Sequence, residues 1–308
     1  MRAEVELPEL GDEEVLIEVA FAGVNRHDCN QRRRGPSPLH SDTPGLEVSG
    51  IISGLGRRVH QFRIGDPVCA LVDGGGYATH TTASAALVFP VLGALDLKSA
   101  SALPEALFTI WHNFVGVSAI GQGESVLIHG GTSGVGSLAI QLLSRLGHTV
   151  FATCSSTEKM EHASRLGARA AFNYTNQDFA SEVLSATRGQ GVDVILDVAA
   201  GAHSSANLRA LAWRGRIVHL SPGDDAIFKA PLRTILEKEA KITGSLLRPL
   251  SLSIKSQVAD ALRKYVLPLV YQGDVLPWVN EVYPLSMAAQ AHRELESGSS
   301  MGKIVLEC

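Results

Sequence analysis

The strongest constraint on the fold is residues 126–147, which read VLIHGGTSGVGSLAIQLLSRLG. A hydrophobic strand runs directly into a glycine-rich turn, and the turn opens a helix whose apolar residues recur every 3.6 positions. In such a context, the N–H groups of the turn and of the helix N-terminus face a pyrophosphate. We therefore predict a dinucleotide-binding turn rather than a merely tight structural one. It comprises Gly131, Thr132, Ser133, Gly134, Val135 and Gly136, with serine at the middle position of GxGxxG.

The rest of the chain divides into two patterns. Residues 13–90 carry short alternating apolar runs broken by Gly, Pro and Asp, which is typical of a small β-barrel or sandwich. From residue 124, aliphatic strands alternate with helix-length amphipathic segments, which predicts an α/β fold with a Rossmann, doubly wound parallel sheet. Residues 274–308 return to strand, helix and strand, and their tail is expected to rejoin the N-terminal β unit. We predict one domain from residues 1–115 and 273–308, and an inserted dinucleotide-binding domain at 116–272.

Composition narrows the class of partner. A length of 308 residues fits two domains, and a formal charge of -4 favours neither nucleic acid nor an anionic membrane. The N-terminus has no signal-peptide pattern, and no apolar run reaches membrane-spanning length. The four cysteines are far apart and form no CxxC, so reduced thiols are expected. These features predict a cytoplasmic protein that acts on a small molecule.

The strand after the glycine turn, HTVFATCSS, bears on which dinucleotide binds. NAD-preferring folds usually place Asp or Glu near its end to hold the ribose 2′-OH. Here Ser155 and Ser156 occupy that place, and Lys159 follows one turn into the helix. Hydroxyls, a helix N-terminus and an ammonium favour a 2′-phosphate, so NADPH is predicted. The alternative is that Ser155 and Glu158 form only a capping box.

Several motifs together resemble a known family. They are AGVNRHD, GLEVSG, IGDPVCAL, GGYATH, LPEALFTIWHNF, HGGTSGVGSLAIQL, AAFNYTNQDF, GVDVILD, GSLLR and AHRELESGSSMGKIVLE. In this order they resemble the zeta-crystallin-type NADPH:quinone oxidoreductases of the medium-chain dehydrogenase/reductase superfamily, over nearly the whole chain. The glycine turn is most similar to the branch that includes the tumour-suppressor-induced quinone oxidoreductase of animals. The resemblance implies a GroES-like catalytic domain around the Rossmann domain, NADPH as cofactor, and zinc-independent reduction of quinones.

The resemblance also bears on the role of residues 23–28, GVNRHD. Zinc alcohol dehydrogenases of this superfamily carry a zinc cysteine in G-x-C-x-x-D and a zinc histidine in G-H-E, whereas this chain has Asn25 and Leu46 in those positions. Both replacements bind zinc poorly. The resemblance therefore implies that Asn25 lies beside the nicotinamide ribose and the substrate, as the catalytic residue. The alternatives are a structural Asn25, or a metal site using His27 and Cys29.

Other site residues follow from the resemblance alone. Thr109 would lie near the cofactor phosphates or the nicotinamide amide, and Tyr174 near the adenosine ribose phosphate. Ser221, Leu246 and Leu247 would line the nicotinamide cleft. Capping remains the alternative for Thr109 and Ser221, and core burial for the two leucines.

Two departures from the family pattern concern the catalytic domain. The chain begins almost directly at EVLIEV, so its barrel is expected to lack an edge element, and residues 32–47 carry no aromatic side chain, which suggests an open acceptor pocket. One alternative function is an NADPH-dependent enone reductase, with Tyr77 as the nearby proton donor. Another is a non-enzymatic NADPH-binding or RNA-binding protein using Arg32 to Arg34 and Arg57–Arg58. A homodimer joined through the sheet edge near KITGSLLR is also predicted.

Overall fold

The computed structural model describes residues 6–35, 41–198, 200–220 and 227–308. The chain divides into two compact units. The outer unit comprises Met1–Phe108 and Ser251–Cys308, and the inserted unit comprises Thr109–Leu250. An insertion of this kind is the organisation that the sequence pattern predicts.

The elements follow one another in two series. The first series is β1 (Glu14–Gly23), α1 (Arg26–Arg34), β2 (Glu47–Leu55), β3 (Pro67–Leu71), β4 (His80–Ser84), β5 (Val88–Pro90), α2 (Leu97–Ala100) and α3 (Pro104–Trp111). The second series is β6 (Ser125–His129), α4 (Gly134–Arg145), β7 (Thr149–Cys154), α5 (Thr157–Arg165), β8 (Ala170–Asn173), α6 (Phe179–Ala186), β9 (Val192–Asp197), α7 (Ser204–Ala210), β10 (Leu211–His219), α8 (Leu232–Lys238), β11 (Lys241–Gly244), α9 (Leu252–Tyr265), α10 (Leu267–Gln272), β12 (Val279–Pro284), α11 (Ala288–Ser297) and β13 (Lys303–Glu307). A π-helical turn at His112–Val117 follows α3. Among the described residues, no helix has the length and apolar character needed to cross a membrane.

The outer unit is built on one sheet in the order β12-β13-β1-β2-β3-β5, with β4 also paired to β1. Alternate residues of β1, Val15, Ile17 and Val19, are buried in its core, as a strand with one apolar face requires. Burial of each such side chain contributes about 1.5–3 kcal/mol. The final strand β13 pairs antiparallel with β1, so the prediction that the tail rejoins the N-terminal β unit is confirmed.

The inserted unit is a parallel sheet in the order β11-β10-β9-β6-β7-β8, with helices between successive strands. Strand order reverses between β6 and β9, and in open α/β sheets ligands bind outside the carboxyl ends of the strands at such a point. Leu127, Phe151 and Ile195 are fully or almost fully buried in the core of this unit. The predicted fold class, a doubly wound parallel sheet inserted in a β domain, is confirmed.

The two units do not meet at the domain boundaries that the sequence predicts, 115/116 and 272/273. Those domain boundaries stay a prediction. The structure places α9 and α10 in the outer unit. Long-range contacts explain this, because Lys255 of α9 pairs with Asp73 at 2.5 Å and Arg263 donates to the carbonyls of Ala86 and Val88. An amphipathic pattern shows that a helix has a buried face without showing which unit that face packs against.

Candidate functional site

The glycine turn between β6 and α4 has little room for side chains. Gly130 has a positive φ of 66°, a conformation that favours glycine. A Cβ on Gly136 would lie 2.2 Å from the carbonyl oxygen of Gly130, so any larger residue there would force the backbone apart. The Ser133 hydroxyl accepts a hydrogen bond from the Gly136 N–H at 3.0 Å and caps α4. Steric and capping requirements thus fix the shape of this turn.

The same geometry suits a phosphate group. The first N–H groups of a helix have no intrahelical partner, and those of Gly134 and Val135 lie in the first turn of α4. Gly131 lies against the next strand, since its N–H donates to the Thr153 carbonyl at 3.0 Å. A Cβ on Gly131 would lie 2.7 Å from the Ala152 side chain. Close approach of the backbone and an N-terminal helix dipole fit the pyrophosphate of a dinucleotide.

The end of β7 carries the residues predicted to select the 2′-phosphate. Ser156 is the N-cap of α5 and accepts from the Lys159 N–H at 3.2 Å. The alternative that Ser155 caps this helix is therefore wrong, and the Ser155 hydroxyl is left for other contacts. Tyr174 lies beside this segment, because its N–H donates to the Cys154 carbonyl at 3.1 Å, and its side chain is exposed. The structure thus brings Ser155, Lys159 and Tyr174 to one edge of the parallel sheet.

A buried polar network lies behind that edge. His129, at the end of β6, contacts the Thr153 hydroxyl through Nδ1 at 2.8 Å and the Asn207 Oδ1 through Nε2 at 2.7 Å. The Asn207 amide nitrogen donates to the fully buried Asp197 at 2.8 Å, so its oxygen faces His129 and Nε2 carries the proton. Burial, opposed by the Asp197 charge, lowers the pKa of His129 to about 4. The ring is therefore neutral at physiological pH. Sequence reasoning did not single out this network.

Thr109 and the segment at 245–247 are also neighbours within the inserted unit. The Thr109 carbonyl accepts from the Asn113 amide nitrogen at 2.8 Å, and Asn113 Oδ1 accepts from the Ser245 hydroxyl at 2.8 Å. The structure therefore brings together two segments that the resemblance assigns to the cofactor. Leu246 is 64% exposed, so core burial is wrong for this residue, and Leu247 is half-buried. Ser221 lies outside the described residues.

Asn25 lies in the outer unit, just after β1, and is 7% exposed. Its amide nitrogen donates to Glu47 Oε1 at 2.9 Å, and its amide oxygen accepts from the Lys303 ammonium at 2.7 Å. Lys303 also contacts Glu47 Oε1 directly, and both of these charged side chains are buried. The other Glu47 oxygen accepts from the Glu105 N–H at 3.0 Å. Asn25 is thus held by a buried ion pair, and neither partner was among the predicted site residues.

Asp28 organises the surrounding loops. Its carboxylate accepts hydrogen bonds from the N–H groups of Asn25 at 2.7 Å and Gly45 at 3.0 Å, and from the Tyr77 hydroxyl at 3.2 Å. Asn25 is the N-cap residue of α1, and Asp28 completes the capping box, so a structural role for Asn25 stays an alternative. Burial raises the pKa of Asp28 to about 6, against the opposing effect of these hydrogen bonds. The Tyr77 hydroxyl also contacts His292 Nε2 at 3.1 Å, and burial raises the pKa of this tyrosine well above its usual value.

The donor set at the zinc positions of related dehydrogenases does not fit a zinc ion. Asn25 and Leu46 stand where thiolate and imidazole ligands would be required, and leucine has no donor atom. Cys29 is buried and its thiol faces the His292 carbonyl at 4.0 Å, while burial raises its pKa to about 11. Across the described part of the chain, no group of three or more His, Cys, Asp or Glu side chains is arranged to hold a metal ion.

The chain is similar in sequence to known dehydrogenases and quinone oxidoreductases. The alcohol dehydrogenase GroES-like domain matches residues 11–93, and the zinc-binding dehydrogenase family matches residues 134–264. A quinone oxidoreductase of Sus scrofa is 30% identical over 99% of this chain and 92% of its own length.

Solved structures agree in fold. The structure of an NAD-dependent alcohol dehydrogenase has a TM-score of 0.87 at 28% identity, covering 99% of this chain and 95% of that one. A mycobacterial protein complexed with NADPH, Rv1454c, has a TM-score of 0.88 at 25% identity, with the same two coverages. The CurK enoyl reductase has a TM-score of 0.83 at 26% identity, covering all of this chain and 94% of that one. All three are similar to this chain in fold, although one is an alcohol dehydrogenase and another an enoyl reductase.

Proposed function

Because the chain belongs to the quinone oxidoreductases of the medium-chain dehydrogenase/reductase superfamily, we propose that it reduces quinones with NADPH and without a metal ion. The observation that carries this proposal is the buried group at Asn25. Asn25, which by sequence resemblance stands at a zinc-ligand position of related dehydrogenases, is held here by a lysine and a glutamate. Without a metal to polarise an alcohol, the acceptor must itself be electrophilic.

The inserted unit supports NADPH as the cofactor. Its turn is shaped for a pyrophosphate, and the end of β7 presents Ser155 and Lys159 in place of the acid that holds a ribose 2′-OH. A neighbour of similar fold is complexed with NADPH, whereas another is described as NAD-dependent, so the discrimination must come from these side chains. Thr109, Tyr174, Ser221, Leu246 and Leu247 remain proposed cofactor contacts.

Quinones suit a site with this composition. NADPH supplies hydride, and a quinone is electrophilic enough to accept it directly or as single electrons, with protons taken from water. The residues of the chain then need to bind and orient a flat acceptor and to exclude competing water. Asn25 is the proposed catalytic residue, since its amide can contact the acceptor or the nicotinamide ribose.

The test is NADPH consumption by the purified protein with 1,2-naphthoquinone or 9,10-phenanthrenequinone. We expect turnover with NADPH that exceeds turnover with NADH and does not change after treatment with a metal chelator. Loss of activity on chelation, recovered by adding zinc, would refute the metal-free mechanism. Absence of quinone turnover in a protein that still binds NADPH would refute quinone as the substrate.

An NADPH-dependent enone reductase is the second candidate, favoured by the similarity to the CurK enoyl reductase. The proton donor considered for it, Tyr77, already has its hydroxyl bonded to Asp28 and close to His292. Faster turnover of conjugated enones than of quinones, lost in Tyr77→Phe, would favour this candidate.

The surface charges do not favour RNA binding, the third candidate function. Arg32 and Arg33 both pair with Glu296, at 2.9 and 2.6 Å, and Arg57 pairs with Asp12 at 2.8 Å. These carboxylates offset the positive charge that a phosphate backbone would require. Salt-dependent binding of RNA by the purified protein would revive this alternative.

A homodimer and a cytoplasmic location complete the proposal. β11 is an edge strand of the parallel sheet, and the apolar side chains of Leu232, Leu236, Ile242 and Leu246 near this edge are exposed. Such an edge invites pairing with a second copy. Light scattering should show a dimer at micromolar concentration, and a monomer would contradict the proposal. All four cysteines are free thiols, in keeping with a reducing compartment.

A further inference from the structure

The contact between Lys303 and Asn25 depends on the pairing of the first and last strands. β1 and β13 are antiparallel with Gly23 opposite Val305, and just beyond the end of β1 the Val24 N–H donates to the Ile304 carbonyl at 2.9 Å. Lys303 is 4% exposed, which is unusual for a lysine unless it is paired. Its ammonium donates both to Asn25 Oδ1 at 2.7 Å and to Glu47. The strand register therefore delivers a buried positive charge to the proposed catalytic amide.

The chemistry of the partners fixes which way the Asn25 amide points. A lysine ammonium has only donors, so it must face the amide oxygen, and an ionised carboxylate has only acceptors, so Glu47 must face the amide nitrogen. Turning the amide by 180° would place nitrogen against the ammonium and oxygen against the carboxylate. Both buried hydrogen bonds would then be replaced by repulsive contacts. Because Glu47 uses one of the two Nδ2 hydrogens, the second one remains available.

We propose that Lys303 is a positioning residue that holds the Asn25 amide as a hydrogen-bond donor toward the carbonyl oxygen of the acceptor. This inference rests on the proposed function and makes it more specific. An oxygen that gains negative charge as hydride arrives is stabilised by a donor already fixed in place. The class of acceptor is therefore a conjugated carbonyl compound, whose oxygen takes the remaining Nδ2 hydrogen. Lys303 acts through Asn25 and makes no contact with the acceptor itself.

A double-mutant cycle separates this role from a merely structural ion pair. Lys303→Met and Glu47→Gln are made together, so that neither buried charge is left alone, and the introduced glutamine keeps an oxygen for the Glu105 N–H. We expect kcat for quinone reduction to fall roughly 10- to 100-fold, while the Kd for NADPH changes less than about threefold. In an Asn25→Ala background, the same pair of substitutions should lower kcat by less than about twofold.

The matched control is Lys255→Met, which removes another buried lysine of the outer unit, paired with Asp73 at 2.5 Å. It should reduce thermal stability without changing kcat. Equal fold-losses in kcat from the Lys303 and Glu47 pair, with or without Asn25, would overturn the proposal. An unchanged kcat in the folded double variant would also overturn it.

A second variant keeps the test decisive if the double variant does not fold. Lys303→Gln retains a donor for Glu47 but has no charge, and its amide can present either donor or acceptor to Asn25. The same loss of kcat and the same dependence on Asn25 are expected, and additive effects would refute the proposal. Failure of the proposed function itself looks different, because the wild-type protein would then show no quinone turnover.

Discussion

The buried His129 makes the stability of the inserted unit depend on pH. In the native protein its pKa is lowered to about 4, first by burial and against the attraction of Asp197, whereas an ordinary histidine titrates near 6.5. The unfolded chain therefore binds this proton before the folded protein does. Stability that is present above pH 6.5 is lost as the pH falls toward and through 4.

The size of the effect follows from the two pKa values. The difference between about 4 and 6.5 corresponds to about 3 kcal/mol of unfolding free energy, of which roughly 2.5 kcal/mol is lost by pH 4.5. Asp28 acts in the opposite direction, because its pKa is raised to about 6 and it favours the folded state at low pH. That contribution is present in both the wild type and a His129 variant, so it cancels in their difference.

The assay compares urea unfolding of the wild type and His129→Gln at pH 7.5, 6.0 and 4.5. The stability advantage of the wild type should shrink by about 2.5 kcal/mol over this range, because glutamine carries no proton to titrate. His60→Gln is the control, because it makes the same substitution at an exposed histidine outside this network. Parallel curves for the wild type and His129→Gln would refute the assignment of a buried neutral ring.

Three further substitutions test the cofactor site and the inserted unit. Lys159→Ala should weaken the binding of NADPH, but not of NADH, by about 1.5–3 kcal/mol in titration calorimetry. Equal losses of binding free energy for the two cofactors would contradict a 2′-phosphate contact. Gly136→Ala would place a Cβ 2.2 Å from a backbone oxygen and should weaken the binding of NADPH at least tenfold. The control is Gly116→Ala, whose Cβ would lie 3.4 Å from its nearest atom and should leave NADPH binding unchanged. Arg216→Met breaks a partly buried, charge-assisted pair with Glu124 and should cost about 1–3 kcal/mol in urea unfolding. A loss below about 0.5 kcal/mol would show that the pair is screened by solvent.

Local patterns predicted the parts of the site that depend on neighbours in the chain. The glycine turn is specified by strand, turn and helix signals within residues 126–147, and the structure shows them in that order. The cap of α5 shows the limit of such patterns. Ser155 and Ser156 are adjacent, and a Glu three residues after Ser155 suggested the wrong cap. The two serines differ by one position, and a pattern of residue types does not fix a helix start to that precision.

Sequence patterns could not predict contacts between residues that are far apart in the chain. Lys303 and Asn25 are 278 positions apart, and their hydrogen bond depends on the register of two strands. The motif GKIVLE shows that a strand forms, but strand pairing decides what its first side chain meets. The network of His129, Asn207 and Asp197 was missed for the same reason. Its members lie on three separate elements, β6, β9 and α7, which meet only in the folded unit.

The pairing of β13 with β1 also has a consequence for the order of events during synthesis. The inserted unit is complete once residue 250 has emerged, and domains generally fold as units while the chain is still being made. The outer sheet must wait for residues 303–307, because they lie between β1 and β12. A nascent chain can therefore acquire its nucleotide fold early, while the lysine that orients Asn25 arrives last. The parallel sheet of the inserted unit is therefore complete before Lys303 can reach Asn25.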